Sequence, residues 1–340
     1  MAILEVGGLT KHFEIRPGLL GRLLSGKRRQ TIKAVDGVSF TLEEGTILGL
    51  AGESGCGKST TCLMIAKLHE PTAGTIRFKG RDIAGLDRAG LRDYRLAVQL
   101  IFQDPYESLN PRFTVFDLVA EGPRALGIWS REETSRRVLE TLSLVGLKPE
   151  EYKDRFPHQM SGGERQRVGI ACALVLEPEL VIADEPLSML DVSIRAGILD
   201  LLRDLSARLN FSCIYVSHDL SILSNISERM LVMYLGMAME IGPTDRIIRN
   251  PQHPYARALV EAVPVPDPRY KRPVPAIRGE IARPIDPPPG CRFAARCPQA
   301  MDACRRDPAP AMQEIGPGHF AACHLLDMDT LDSGTADRVP

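Results

Sequence analysis

Short apolar runs rich in β-branched residues alternate with longer stretches of helical period over the first 260 residues. This is the pattern of an α/β unit built on a mixed, largely parallel sheet. Residues 46–51, 96–102, 180–184 and 212–217 read as buried strands, each too short for a helix and nearly free of polar interruption. Behind the third, Ile194, Ile198, Leu201, Leu202, Leu205 and Leu209 recur three and four apart, which predicts a helix with one face on the core. Residues 104–178 carry more helical than strand signal and are expected to form an inserted, mainly helical subdomain. The longest apolar run, near 231–241, is cut by Glu240 and falls short of the roughly 20 residues that cross a bilayer. No internal repeat is visible.

Composition adds limits. The 340 residues include 42 Lys+Arg against 43 Asp+Glu, with 44% hydrophobic and 5% aromatic residues, a globular balance with room for roughly two domains. Near-neutral charge argues against nucleic acid as a partner, since bulk binding to it leaves a basic excess. The first residues lack the basic, apolar, small-residue order of a secretory signal, so the expectation is a cytoplasmic protein. More than half of the 26 prolines follow Val263. That shift divides the chain into 1–260, a Pro- and Cys-rich region over 261–326, and a polar tail over 327–340 expected to be disordered. The basic stretch 16–33 reads as a solvated loop because Gly and Ser punctuate it, with anionic lipid contact as the alternative.

Chemistry is concentrated in a few motifs. Gly52, Glu53, Ser54, Gly55, Cys56, Gly57, Lys58 and Ser59, followed by Thr60, match G-x-x-x-x-G-K-[ST] between an apolar strand and a helical segment. Glycines let successive backbone N–H groups face one concavity that cradles phosphates, and the helix N-terminus adds a favourable dipole. Lys58 is suited to the β- and γ-phosphates and Ser59 to Mg²⁺. The strand at 180–184 ends in Asp184 and Glu185. Asp184 suits the Mg²⁺ shell, and Glu185 can polarise the water that attacks the γ-phosphate.

Ser161, Gly162, Gly163 and Glu164 open a helical segment, and Gln103 and His218 stand at the ends of apolar strands. With the two motifs above, the set over residues 1–260 resembles the ATP-binding subunit of an ABC transporter, a P-loop NTPase of ABC type. The resemblance implies ATP hydrolysis to ADP and phosphate in a head-to-tail pair of nucleotide domains, with Ser161, Gly162, Gly163 and Glu164 facing the partner's ATP. It also implies that Gln103 senses Mg²⁺ and the attacking water, that His218 contacts the γ-phosphate, that Ser188 and Asp191 belong to the loop joining the two sites, and that Phe13 stacks on adenine. A strand core position is the alternative for Phe13.

The run from Ile101 through Phe102, Gln103 and Asp104 to Arg112, the segment Met233 to Gly236, and His253-Pro254-Tyr255 resemble the oligopeptide/dipeptide importer branch. Cys56 and the insert before Ala34 resemble the second of its two non-identical ATPases. The expected partners are a second homologous ATPase, in a heterodimer or a homodimer, two transmembrane permeases, and indirectly an extracytoplasmic solute-binding protein. The site of action would be the cytoplasmic membrane face. Oligosaccharides or nickel complexes are the alternative cargo, and a non-transport ABC ATPase of DNA repair or translation is the rival class. The His-Pro-Tyr segment reads as a turn and helix that add no chemistry. Departures from the pattern are Glu164 where Gln is usual, which brings a carboxylate to a phosphate site, Leu187 and Met189 in the joining loop, and Cys172 in place of Arg.

Of eight cysteines, Cys291, Cys297, Cys304 and Cys323 crowd the C-terminal region in the spacing C-x₅-C-x₆-C-x₁₈-C. This is neither a zinc ribbon nor a ferredoxin pattern. Four thiolates suit Fe–S or tetrahedral Zn²⁺, and thiols without metal are the third reading. In the resembled branch this region is associated with a [4Fe–4S] cluster in some members.

Overall fold

The structure, a computed structural model, describes residues 1–15, 30–104, 108–263 and 285–326. The tail over 327–340 and most of the basic stretch lie outside these residues. From the N-terminus, β1 (Ala2–Ile15) and β2 (Gln30–Glu43) form a long antiparallel ribbon, β3 (Ile47–Ala51) enters the core, and β4 (Ala73–Phe78) and β5 (Arg81–Asp82) return to the ribbon. β6 (Val98–Ile101), β7 (Leu180–Asp184), β8 (Ser212–Ser217), β9 (Arg229–Tyr234) and β10 (Met237–Pro243) follow, and β11 (Gln313–Gly316) and β12 (His319–Ala321) come last. One sheet has the order β2-β1-β4-β5, the other β11-β12-β10-β9-β3-β8-β7-β6.

The second sheet is parallel from β9 to β6 and antiparallel beyond β9. Every residue of β3 and β8 is buried, as is β7 up to Asp184, because helical residues such as Ile198 and Leu223 pack on one face and the β1–β2–β4 sheet with Met64 and Ile65 packs on the other. The register pairs Ala51 with Ser217, Asp184 with Val216 and Ile101 with Ala183. The strands therefore end level, and Gly52, Gln103, Glu185 and His218 leave along one carboxyl edge, where ligands bind in open α/β sheets.

The helices are α1 (Lys58–Ile65), α2 (Arg88–Ala97), α3 (Val115–Leu126), α4 (Arg131–Leu144), α5 (Pro149–Tyr152), α6 (Gly162–Leu174), α7 (Val192–Leu209), α8 (Leu220–Ile226), α9 (Thr244–Arg249) and α10 (Pro254–Glu261). Side chains of Thr114 and Ser130 cap α3 and α4 by accepting from the third helical amide. Val119, Val138, Leu142 and Val168 are fully buried where α3, α4 and α6 join the main core. The strand expected over 96–102 is shorter than its apolar run. Leu96 and Ala97 finish α2, and the Val98 amide still donates to the Tyr94 carbonyl.

Residues 285–326 extend the same sheet: Ile241 pairs with Phe320 and Glu240 with Ala321. Glu240, the charge that interrupts the apolar run, is fully buried. Its carboxylate accepts from the Gln252 and His253 amides and lies 2.7 Å from His319 Nε2. A buried charge requires such partners, and here they fasten β12 and the start of α10 to β10. Phe293 fills the space among Tyr234, His253 and Tyr255.

Candidate nucleotide site

The turn from β3 into α1 needs its glycines. Gly52, Gly55 and Gly57 have φ of 147°, 80° and 107°, values that L side chains rarely adopt. A Cβ at Gly52 would strike the Met233 carbonyl and Cys56 Sγ, and one at Gly57 the Ala34 carbonyl. Lys58 is buried, and its Nζ donates to the carbonyls of Gly52 at 2.8 Å and Glu53 at 3.1 Å. The same ammonium is 3.7 Å from Glu185 Oε1.

Glu185 follows β7 with φ of 44°, and its amide donates to the Val216 carbonyl at 3.1 Å. This left-handed kink turns the carboxylate toward β8, where Oε2 lies 3.1 Å from His218 Nδ1. Lys58, Ser59, Gln103 and Glu185 line one cavity of about 340 Å³ with Ser54, Gly55, Gly57 and Thr60. Burial raises the Asp184 pKa above the ordinary carboxylate value. A hydrogen bond from Ser59 and the charge of Lys58 oppose the rise, and Glu185 adds to it. Asp184 Oδ1 is buried without a hydrogen-bond partner. A buried carboxylate oxygen left in this state beside a hydroxyl fits an oxygen-seeking cation such as Mg²⁺.

Ser161 is the N-cap of α6 in a capping box. Glu164 Oε2 accepts from the Ser161 amide at 2.7 Å and hydroxyl at 2.8 Å, and Tyr152 donates to Oε1 at 2.6 Å. The Tyr152 and Ser161 hydrogen bonds lower the Glu164 pKa despite partial burial. The carboxylate is thus folded back on its own helix start. A Cβ on Gly163 would come within 2.7 Å of Ile194 on α7, so the small residues let α6 approach α7.

The ABC transporter family matches residues 35–188, and the oligopeptide/dipeptide transporter C-terminal region matches 239–304. The oligopeptide transport ATP-binding protein AppF of Bacillus subtilis is 45% identical over 326 residues, covering 95% of this chain and 97% of that protein. A Brucella ovis protein named for peptide import and ATP binding is 44% identical over 321 residues, covering 94% and 97%. The chain belongs to the ABC transporter ATP-binding proteins. Among solved structures, a dimeric ATP-binding cassette in a post-hydrolysis state with ADP and Pi superposes with a TM-score of 0.61 at 27% identity, over 71% of this ABC chain and 98% of that one.

Other residues of the ABC subunit stand outside the cavity. Phe13, on β1, is 38% exposed and lies beneath Lys11 and beside His69. It does not line the cavity, although Ile32, opposite it in the β1–β2 ladder, does. Ser188 donates to the Glu185 carbonyl through its amide and hydroxyl, so the joining loop is tied to the end of β7. Asp191 occupies the N-cap of α7 without a side-chain cap bond, and Met189 is exposed.

None of the eight cysteines is in a disulfide. The thiols of Cys297, Cys304 and Cys323 all act electrostatically on Cys291, whose pKa burial pushes up to about 11. Among the described residues, however, no group of three or more His, Cys, Asp or Glu is placed to hold a metal ion. Cys291, Cys297, Cys304 and Cys323 thus do not form, among the described residues, the ligand set expected for Fe–S or Zn²⁺.

His253-Pro254-Tyr255 forms the expected turn and helix start, and it also touches the phosphate loop. Tyr255 OH accepts from the Glu53 amide at 3.0 Å, inside the phosphate loop. Arg296 also reaches that loop through Glu53, and it carries no recognisable motif of its own. For Tyr255 the His-Pro-Tyr segment is the signal in the sequence.

Proposed function

We propose that this ABC subunit binds MgATP at the cavity around Lys58 and hydrolyses it to drive import of a peptide. Lys58 neutralises the β- and γ-phosphates, the loop amides from Gly52 to Thr60 cradle them, and Phe13 covers the adenine. Ser59, Gln103 and Asp184 hold Mg²⁺, which shields phosphate charge when bound. Glu185 draws a proton from the attacking water, and His218 orients Glu185 and meets the γ-phosphate. Ser161, Gly162, Gly163 and Glu164 serve the ATP of a second homologous subunit, with Ser188 and Asp191 at the junction. The observation that carries the reading is the convergence of Lys58 and His218 on Glu185 beside the unpaired Asp184 oxygen.

Among the described residues no helix is long and apolar enough to cross a membrane. The subunit acts at the cytoplasmic face against two permeases, with a solute-binding protein delivering cargo. Support for peptides comes from the C-terminal family match and from relatives named for peptide and oligopeptide transport. In a reconstituted transporter, binding protein loaded with oligopeptides should stimulate ATP turnover severalfold. Stimulation by oligosaccharide or nickel complexes, with none by peptides, would reassign the cargo.

A further inference from the structure

The cysteine-rich segment reaches the phosphate loop through two arginines. Arg296, 8% exposed, makes a two-pronged ion pair with Glu53, Nη1 to Oε2 at 2.7 Å and Nη2 to Oε1 at 3.1 Å. Its Nη1 also donates to Tyr234 OH at 3.3 Å, and its guanidinium lies 5.7 Å from that ring. Arg292 pairs with Asp36 and donates to the Leu235 carbonyl at 3.1 Å. The neighbouring Gly236 amide donates to the Cys56 carbonyl at 2.8 Å, again within the loop.

Glu53 is the one carboxylate between Gly52 and Thr60, in a loop whose task is to bind a polyanion. Both of its backbone ends are fixed: the amide donates to Tyr255 and the carbonyl accepts from Lys58. The side chain is thus held close to the loop, where an uncompensated carboxylate would repel phosphate in a partly desolvated setting. A bidentate guanidinium both neutralises that charge and fixes its direction.

We propose that Arg296 is a positioning residue for ATP binding: by neutralising Glu53 it makes the cysteine-rich segment a determinant of the loop's affinity for polyphosphate. This rests on the assignment of residues 52–60 as the phosphate loop. Lys58→Ala in the full-length chain tests that assignment separately, since retained MgATP binding would remove ATP from this loop altogether.

With that control in place, MgATP binding and steady-state ATPase are measured on full-length Arg296→Gln, Glu53→Gln and the double variant. Arg296→Gln should raise Kd and KM about tenfold, since one unscreened charge is left near the phosphates, with kcat kept within about twofold. Glu53→Gln should bind at least as tightly as the parent chain, and adding it to Arg296→Gln should return Kd to within about twofold of the parent. A mere structural tie predicts the opposite, equal losses in both single variants and no rescue. That pattern, or an unchanged Kd in Arg296→Gln, would overturn the proposal. Should Arg296→Gln fail to fold by thermal melting, weakened binding by folded Glu53→Gln overturns it alone.

Discussion

At the residue scale, Glu185 is held where few side chains rest: φ of 44° is left-handed, a conformation that costs a non-glycine residue of order 1 kcal/mol. The cost is offset by what the kink achieves, which is to bring the carboxylate within reach of both Lys58 and His218. Glu164 raises the opposite concern, a negative charge at a phosphate-facing helix start, and its hydrogen bonds dispose of it. With Oε2 on Ser161 and Oε1 on Tyr152, the carboxylate caps α6. Glu164→Gln should therefore change ATPase turnover by less than about threefold, whereas Glu164→Ala, which loses the capping box, should lower unfolding stability by about 1 kcal/mol. Steady-state kinetics and denaturant melts check the two. Lys58 and Glu185 are legible in sequence because local motifs carry them, and His218 only through the set to which it belongs. Tyr255 and Arg296 are not, because their partner Glu53 lies 202 and 243 positions away, and no local pattern encodes such a pairing.

At the element scale, α10 begins on a buried histidine. His253 Nδ1 accepts from the Tyr255 amide at 3.0 Å, and burial lowers its pKa from 6.5 to about 3. The folded chain then holds a neutral ring while the unfolded chain binds a proton below pH 6.5, so the unfolded state gains protons on acidification. The contribution is complete above pH 6.5 and is lost as pH falls toward about 3. By linkage it amounts to about 2 kcal/mol between pH 6.5 and 5. Thermal melts at pH 7 and 5 should show a drop that His253→Asn, which keeps a capping oxygen, reduces. Equal drops in both proteins would contradict the assignment. Element boundaries were legible where apolar runs meet polar ends, as at β7 and β8. They were not at α2–β6, where Leu96 and Ala97 suit the last helical turn as well as the first strand residue.

At the scale of the molecule, the change in proline and cysteine content near residue 260 is real in the sequence, yet the described C-terminal residues join the main sheet through β12 and grip the phosphate loop through Arg296. Composition reports a change of chain character and is silent on long-range pairing, so the continuity of the sheet could not be read from it. The near-balance of charge suits docking on protein surfaces better than on lipid or nucleic acid. In the proposed pair each ATP is enclosed by Lys58 of one subunit and the Ser161 region of the other, so turnover depends on assembly while chemistry depends on Glu185. The most direct test is steady-state ATPase of the full-length subunit, assembled with its transporter partners, carrying Glu185→Gln. Turnover should fall at least about 100-fold, the scale of losing a general base, while MgATP binding persists because Lys58 and its loop are intact; unchanged turnover would contradict the account.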